Sequence, residues 1–153
     1  MKKERYKVIP IALLLLVVDG KILLSRRFNT GFEDGNYGLP AGHGEEGETM
    51  REGMVREAKE EIGIEIKPED LDLALMQHQF CDDPGNPHAR ANFFFTARKW
   101  QGVPTNMEPN ECDDVSWFPL DALPVNIIGH VRNAIETFRQ GKNYVEYDWE
   151  KRK

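Results

Sequence analysis

Three glutamates, Glu57, Glu60 and Glu61, stand at i, i+3 and i+4 of a segment that reads as a helix. On a helical wheel they share one stripe, while Met54, Val55, Ala58 and Ile62 fall on a different side that would face a core. Like charges at this spacing destabilise a helix by a few tenths of a kcal/mol per pair, so the stripe calls for a compensating cation. Hard oxygen ligands close together suit Mg²⁺ or Mn²⁺, which would bridge to substrate phosphates. Taken alone, the stripe reads first as a solvated acidic face balanced by Arg56 and Lys59. The preceding loop shifts the reading, because six of the 13 glycines lie between Gly31 and Gly47. Glycine permits close approach of backbone to a ligand.

The stretch Gly42 to Thr49 imitates a phosphate-binding P-loop, but Glu48 stands where that loop needs its lysine. A carboxylate there would repel the phosphates that the lysine attracts, so the P-loop reading fails. The longer pattern runs Gly42, five residues, Glu48, seven residues, Arg56-Glu57-Ala58, one residue, Glu60-Glu61, one residue, Gly63-Ile64. It resembles the Nudix box with every fixed position filled, and the lead-in Leu39-Pro40-Ala41 is similar to that family's entry to the box. Ala58 is small for a position that prefers a bulky aliphatic residue, which implies looser packing there.

The resemblance implies an α/β fold, an α/β/α sandwich with a mixed sheet, and hydrolysis of a nucleoside diphosphate linked to another moiety. Glu57, Glu60 and Glu61 would bind Mg²⁺ or Mn²⁺, helped by the backbone carbonyl near Gly42. Glu48 would pair with Arg56 and support the catalytic helix from its start. Glu57 or Glu61 would assist the attacking water. Family members often add an acidic residue from a later loop, and Met107–Asp114 offers Glu108 and Glu111. Glu111 is favoured because it lies nearer the following strand; the bland alternative is a solvated acidic turn.

For substrate, the resemblance works by absences. The proline that accompanies ADP-ribose hydrolysis would fall where Gln79 and Phe80 stand, and Pro84 and Pro87 come later. The tyrosine that accompanies dinucleoside polyphosphate hydrolysis is replaced by Cys81 and Asp82. The aromatic–proline motif of NADH-hydrolysing members is also missing. A small nucleoside triphosphate, oxidised or non-canonical bases included, cleaved to monophosphate and pyrophosphate, is the expected substrate. ADP-ribose, a sugar nucleotide, or nucleotide sensing without turnover are the alternatives.

The elements that must carry these residues follow from periodicity. Strands are expected at 7–18 and 21–26, joined through Asp19-Gly20, a hairpin signal between apolar runs. Thr49 with Glu52 marks a capping box, the helix runs to Ile62, and Gly63 closes it. Further strands are expected at 71–79, 92–100 and 115–118, with 81–91 as a loop. Ile127, Ile128, Val131, Ala134, Ile135 and Phe138 make an apolar stripe that Gly141 ends. Phe93, Phe94, Phe95, Trp117 and Phe118 read as core, and His43 as an exposed loop residue. The aromatic tail Tyr144 to Trp149 docks on the body, docks on a second subunit in a homodimer, or stays mobile.

The chain has 153 residues, room for one domain over 1–153. Its 20 basic and 26 acidic residues give a net charge of −6, which argues against nucleic acid as a partner held by bulk electrostatics. Two cysteines, Cys81 and Cys112, cannot build a disulfide framework and read as reduced thiols of a cytoplasmic protein. The basic start followed by Ile9 to Val18 has the outline of a signal peptide, but Asp19-Gly20 follows where a cleavage pattern would be. The run is also shorter than the roughly 20 residues that span a bilayer.

Overall fold

The computed structural model describes residues 2–153. Its strands are β1 (Ile9–Leu15), β2 (Val17–Val18), β3 (Lys21–Arg27), β4 (Tyr37–Gly38) and β5 (Ala41–His43). Helix α1 (Met50–Ile62) is followed by a 3₁₀ turn at Pro68–Asp70, then β6 (Leu71–Cys81), β7 (His88–Ala97) and β8 (Cys112–Pro119). Helix α2 (Gly129–Arg139), β9 (Tyr144–Tyr147) and a short 3₁₀ turn at Trp149–Lys151 complete the chain.

Two sheets share the centre of the molecule. The larger has the order β5-β1-β7-β6-β9. In it β1 runs parallel to β7 and β6 parallel to β9, while the β1–β5 and β6–β7 pairs are antiparallel. The smaller is built around β3, which pairs antiparallel with β2, β4 and β8. This is the expected mixed sheet.

β1 explains why the first apolar run is continuous. Ile11, Leu13 and Leu15 point into one core with Val131, Ala134 and Ile135 of α2. Ala12, Leu14 and Leu16 point into a second core with Met54, Ala58 and Ile62 of α1. A strand covered on both faces needs apolar residues at every position, so it loses the alternation of a half-exposed strand. The helices cover opposite faces, which makes the α/β/α sandwich. Ala58 is fully buried against α1's core, so its small side chain does not open that position to water.

Local chemistry sets α1's ends as the sequence suggests. The Glu52 amide donates to Thr49 Oγ1 at 3.1 Å, and the Thr49 amide donates back to Glu52 Oε1 at 3.2 Å. Gly63 adopts φ 72° and donates its amide to the Lys59 carbonyl, a left-handed cap. The Asp19-Gly20 turn has φ of 50° and 75°, which matches the twist of the hairpin it joins.

Several boundaries move. The strand expected at 7–18 breaks at Leu16, whose carbonyl accepts from the Leu23 amide as the chain passes between sheets. β6 and β7 extend to Cys81 and start at His88, so much of the expected 81–91 loop is ladder. β8 spans Cys112–Pro119 because β3 offers partners along its full length. Trp117 is 37% exposed on the edge strand β8, beside buried Leu23 of β3, and is not core. Phe118 packs edge-on against Tyr37, ring centroids 4.9 Å apart. The tail docks on the body: β9 adds an edge strand to β6, and Trp149 Nε1 donates to the His78 carbonyl at 2.7 Å.

Candidate active site

α1 lies over β1 and β5, so its polar stripe meets the glycine-rich strand β5. Gly42 sits against Glu57: a Cβ there would come within 2.1 Å of the Glu57 carboxyl. Only glycine permits that approach. The Ala41 amide donates to Glu61 Oε2 at 3.2 Å, which pins the next carboxylate of the stripe to the same strand. Glu60 stands farther out, its side chain about half exposed at 52%.

Arg56 ties the helix to the loop. Its Nε donates to Glu48 Oε2 at 3.1 Å and its Nη2 to Glu48 Oε1 at 2.8 Å, a bidentate pair. The Glu45 amide also donates to Glu48 Oε1, so Glu48 is occupied by protein donors. The Arg56 hydrogen bond holds the Glu48 carboxyl below its ordinary pKa. Nη1 of Arg56 reaches Glu57 Oε1 at 2.7 Å and lies 3.6 Å from Glu60. One guanidinium thus balances part of the acidic stripe.

The balance is incomplete. Burial, then the charge of Glu57, pushes the Glu61 carboxyl well above its ordinary pKa. Glu108 is also raised, first by burial and then by the charges of Glu111, Glu57 and Glu60. The loop and helix carboxylates therefore share one electrostatic field. The turn is built by Asn106, whose Oδ1 accepts from the Glu108 amide and whose Nδ2 donates to the Cys112 carbonyl. Glu108 is drawn partly inward by this turn, while Glu111 stays exposed at its rim. Both line the cleft described below.

Among the described residues no three Asp, Glu, His or Cys side chains already converge at metal-binding spacing. The donor set nevertheless fits a hard divalent cation. It consists of oxygens alone, and two of its carboxylates crowd one another in a partly buried place where a cation would relieve them.

Beside the carboxylates opens a cleft of about 430 Å³ between α2, β3 and the β1–β7 face. Its walls include Ile11, Leu13, Ile128 and Val131, and the polar residues Ser25, Arg26, Arg27, Arg90 and His130. None of these polar residues stood out in the sequence. Arg26-Arg27, an adjacent basic pair at the end of a strand, was the one signal available for them. His43 is exposed, as expected, and both cysteines are free. No helix of the described residues is long and apolar enough to cross a membrane.

Comparison with known proteins supplies the family. Residues 8–140 match the NUDIX domain. The NAD-capped RNA hydrolase NudC of Chromobacterium violaceum is 32% identical over 119 residues, 78% of this chain and 41% of that protein. The chain therefore spans about two fifths of the length of such relatives. The 8-oxo-dGDP phosphatase NUDT18 of Homo sapiens is 33% identical over 98 residues, 63% of this chain and 28% of that protein. Among solved structures, a MutT NUDIX hydrolase from Burkholderia pseudomallei superposes with a TM-score of 0.75 at 28% identity, covering 85% of this chain and 97% of that one. A match across most of the sequence, a shared fold, and a glutamate stripe braced on Gly42 converge: the chain belongs to the Nudix family.

Proposed function

We propose that the protein is a divalent-metal-dependent hydrolase of nucleoside diphosphate linkages. In this reading it acts on a small nucleoside triphosphate, oxidised or non-canonical bases included, and releases monophosphate and pyrophosphate. The observation that carries this reading is the acidic stripe of α1, with Glu57 against Gly42 and Glu61 held by the Ala41 amide, opening onto the cleft.

Glu57, Glu60 and Glu61, with the carbonyl of Gly42 and an oxygen from Glu108 or Glu111, would hold the cation. When bound, Mg²⁺ or Mn²⁺ supplies the positive charge that lets water attack an otherwise repelling diphosphate. The chain's own residues do the rest. Glu48 and Arg56 lock the start of α1 to the loop, which fixes the direction of the stripe. Glu57 or Glu61 takes the proton of the attacking water. Glu108 supports the role of later-loop ligand by its electrostatic coupling to Glu57 and Glu60, and Glu111 by lining the same cleft.

The substrates named for NudC keep RNA ends among the candidates despite the net charge of −6. A panel decides: nucleoside triphosphates, ADP-ribose, diadenosine polyphosphates, NADH and an NAD-capped oligonucleotide, each with Mg²⁺, Mn²⁺ or EDTA. The expected result is metal-dependent turnover of triphosphates, lost in EDTA. The substitutions Glu57→Gln, Glu60→Gln and Glu61→Gln are each expected to cut it by orders of magnitude while the protein stays folded. Full activity in EDTA would overturn the reading. Preference for ADP-ribose over every triphosphate would overturn the substrate and leave the metal chemistry standing.

A further inference from the structure

The cleft contains an arginine that no carboxylate of the described residues pairs with. Of the three arginines that line it, Arg26 donates from Nε to Asp113 at 2.7 Å and Arg27 from Nε to the Phe32 carbonyl at 2.7 Å. Arg90 differs. Its Nε–H is buried and has no hydrogen-bond partner among the described residues. No carboxylate of the described residues lies within ion-pair reach of its guanidinium. On β3, another wall of the same cleft, Ser25 Oγ is also buried and unpartnered. Leaving such groups without partners is destabilising, and a ligand that brings acceptors removes the penalty.

The place of Arg90 says which part of a ligand it meets. Arg90 pairs with Ile9 of β1, whereas Gly42 pairs with Ala12, and β1 separates β7 from β5. The two positions are two strand spacings apart, about 10 Å, and three residues along β1, about another 10 Å. Arg90 therefore stands at the end of the cleft away from the glutamates that face the diphosphate. Between these ends the walls are aliphatic: Ile11, Leu13, Ile128 and Val131. A flat apolar ring fits such walls, whereas a further phosphate would be desolvated by them. His130 adds no charge at this end, since burial and the charge of Arg90 hold its imidazole down to about 4 against the pull of Asp148.

We propose that Arg90 is a specificity-determining residue that donates to the O6 and N7 acceptor edge of a purine base, selecting guanine over adenine. Arginine matches that acceptor pair with two parallel hydrogen bonds, while adenine sets its amino donor against the guanidinium. Hypoxanthine shares the acceptor edge and is accepted with guanine. Ser25 Oγ offers a second polar contact to the same ring. The inference rests on the nucleotide hydrolase reading and names the base it takes.

The test uses GTP, ITP, ATP and CTP with Mg²⁺ on the wild type and the Arg90→Met and Ser25→Ala variants. Binding of GMP and AMP to the metal-free proteins by calorimetry provides a readout that needs no turnover. The expected kcat/KM for GTP and ITP exceeds that for ATP by about tenfold or more. Arg90→Met brings both to the ATP level through KM, leaving kcat little changed, and GMP loses its advantage over AMP. Thermal melts check the fold; removal of the unpartnered buried N–H is expected to hold or raise Tm. If Arg90→Met fails to fold, Arg90→Gln supplies the same comparison. Equal or better use of ATP by the wild type overturns the proposal, as does an equal loss on all nucleotides in Arg90→Met. If no nucleotide is turned over, the hydrolase reading fails. A GMP preference that Arg90→Met abolishes would then still support the base assignment, and equal binding of GMP and AMP would end it.

Discussion

Glu48 and Glu60 are chemically the same residue with different surroundings. Glu48 accepts two hydrogen bonds from Arg56 and one from the Glu45 amide, so little of its carboxylate is free for a cation. Glu60 is half exposed and touches Arg56 only at 3.6 Å. Glu48→Gln is therefore expected to lower activity by about 10–100-fold, as changes outside the ligand set do, and Glu60→Gln by more. A Mn²⁺ titration separates the causes: Glu60→Gln weakens metal binding and Glu48→Gln leaves it near the wild-type value. Equal weakening in both would make Glu48 a ligand. Glu108 and Glu111 differ in how the turn places them. The sequence favours Glu111 by its nearness to β8, but the Asn106 turn brings Glu108 into the field of Glu57 and Glu60.

At the scale of elements, α1 is the part whose position matters most, and both its ends are built locally. Thr49→Ala removes the capping hydrogen bond and is expected to lower stability by about 1 kcal/mol. Gly63→Ala forces a side chain into φ 72°, with Met107 Cγ and Sδ 3.2 Å from the new Cβ. It is expected to be destabilising by about 1–2 kcal/mol. Urea unfolding at fixed pH measures both. Neither residue touches the carboxylates, so kcat at saturating Mg²⁺ stays near wild type. A large loss of kcat in Thr49→Ala with unchanged unfolding would show that the cap acts on the site and not on the helix. β9 shows the opposite dependence. Its residues form a strand because β6 extends far enough to offer an edge, and Trp149 holds it there by stacking near His78 and Phe80.

For the whole molecule, His130 couples the cleft to folding. Its pKa is held down to about 4 in the fold, chiefly by burial, while the ordinary value is 6.5. Well above pH 6.5 the imidazole is neutral whether folded or unfolded and contributes nothing to the pH dependence. Between pH 6.5 and 4 the unfolded chain binds a proton that the folded chain does not, so stability falls as pH falls. From pH 6.5 to 4.5 this one group is expected to remove about 2 kcal/mol. Arg90 and Asp148 are the charges that act on it, in opposite senses. Urea midpoints of wild type and His130→Gln at pH 7 and 4.5 isolate the effect, since both share every other titrating group. The same acid loss in both proteins would show that His130 is not responsible.

The sequence by itself determined what depends on neighbours along the chain. The i, i+3, i+4 glutamates, the Thr49–Glu52 box, the Gly63 stop and the Asp19-Gly20 turn are all decided within one or two turns of backbone, so type and spacing suffice. The continuous apolar run of β1 also spoke correctly for a strand, because any central strand between two helices must be apolar on both faces. Tertiary structure decided what depends on elements distant in sequence. Arg90, Ser25 and His130 come from β7, β3 and α2 and meet only because those elements wall one cleft. The acidic total likewise conceals their neighbourhood, since a net charge sums over the surface while a ligand feels only the nearest groups, within about 10 Å in salt. Trp117 was placed in the core by its type, and its register sets it beside buried Leu23. Among the described residues β8 has only β3 as a partner, so its other side is an edge that leaves Trp117 37% exposed. Local sequence does not say which strand will lie at an edge.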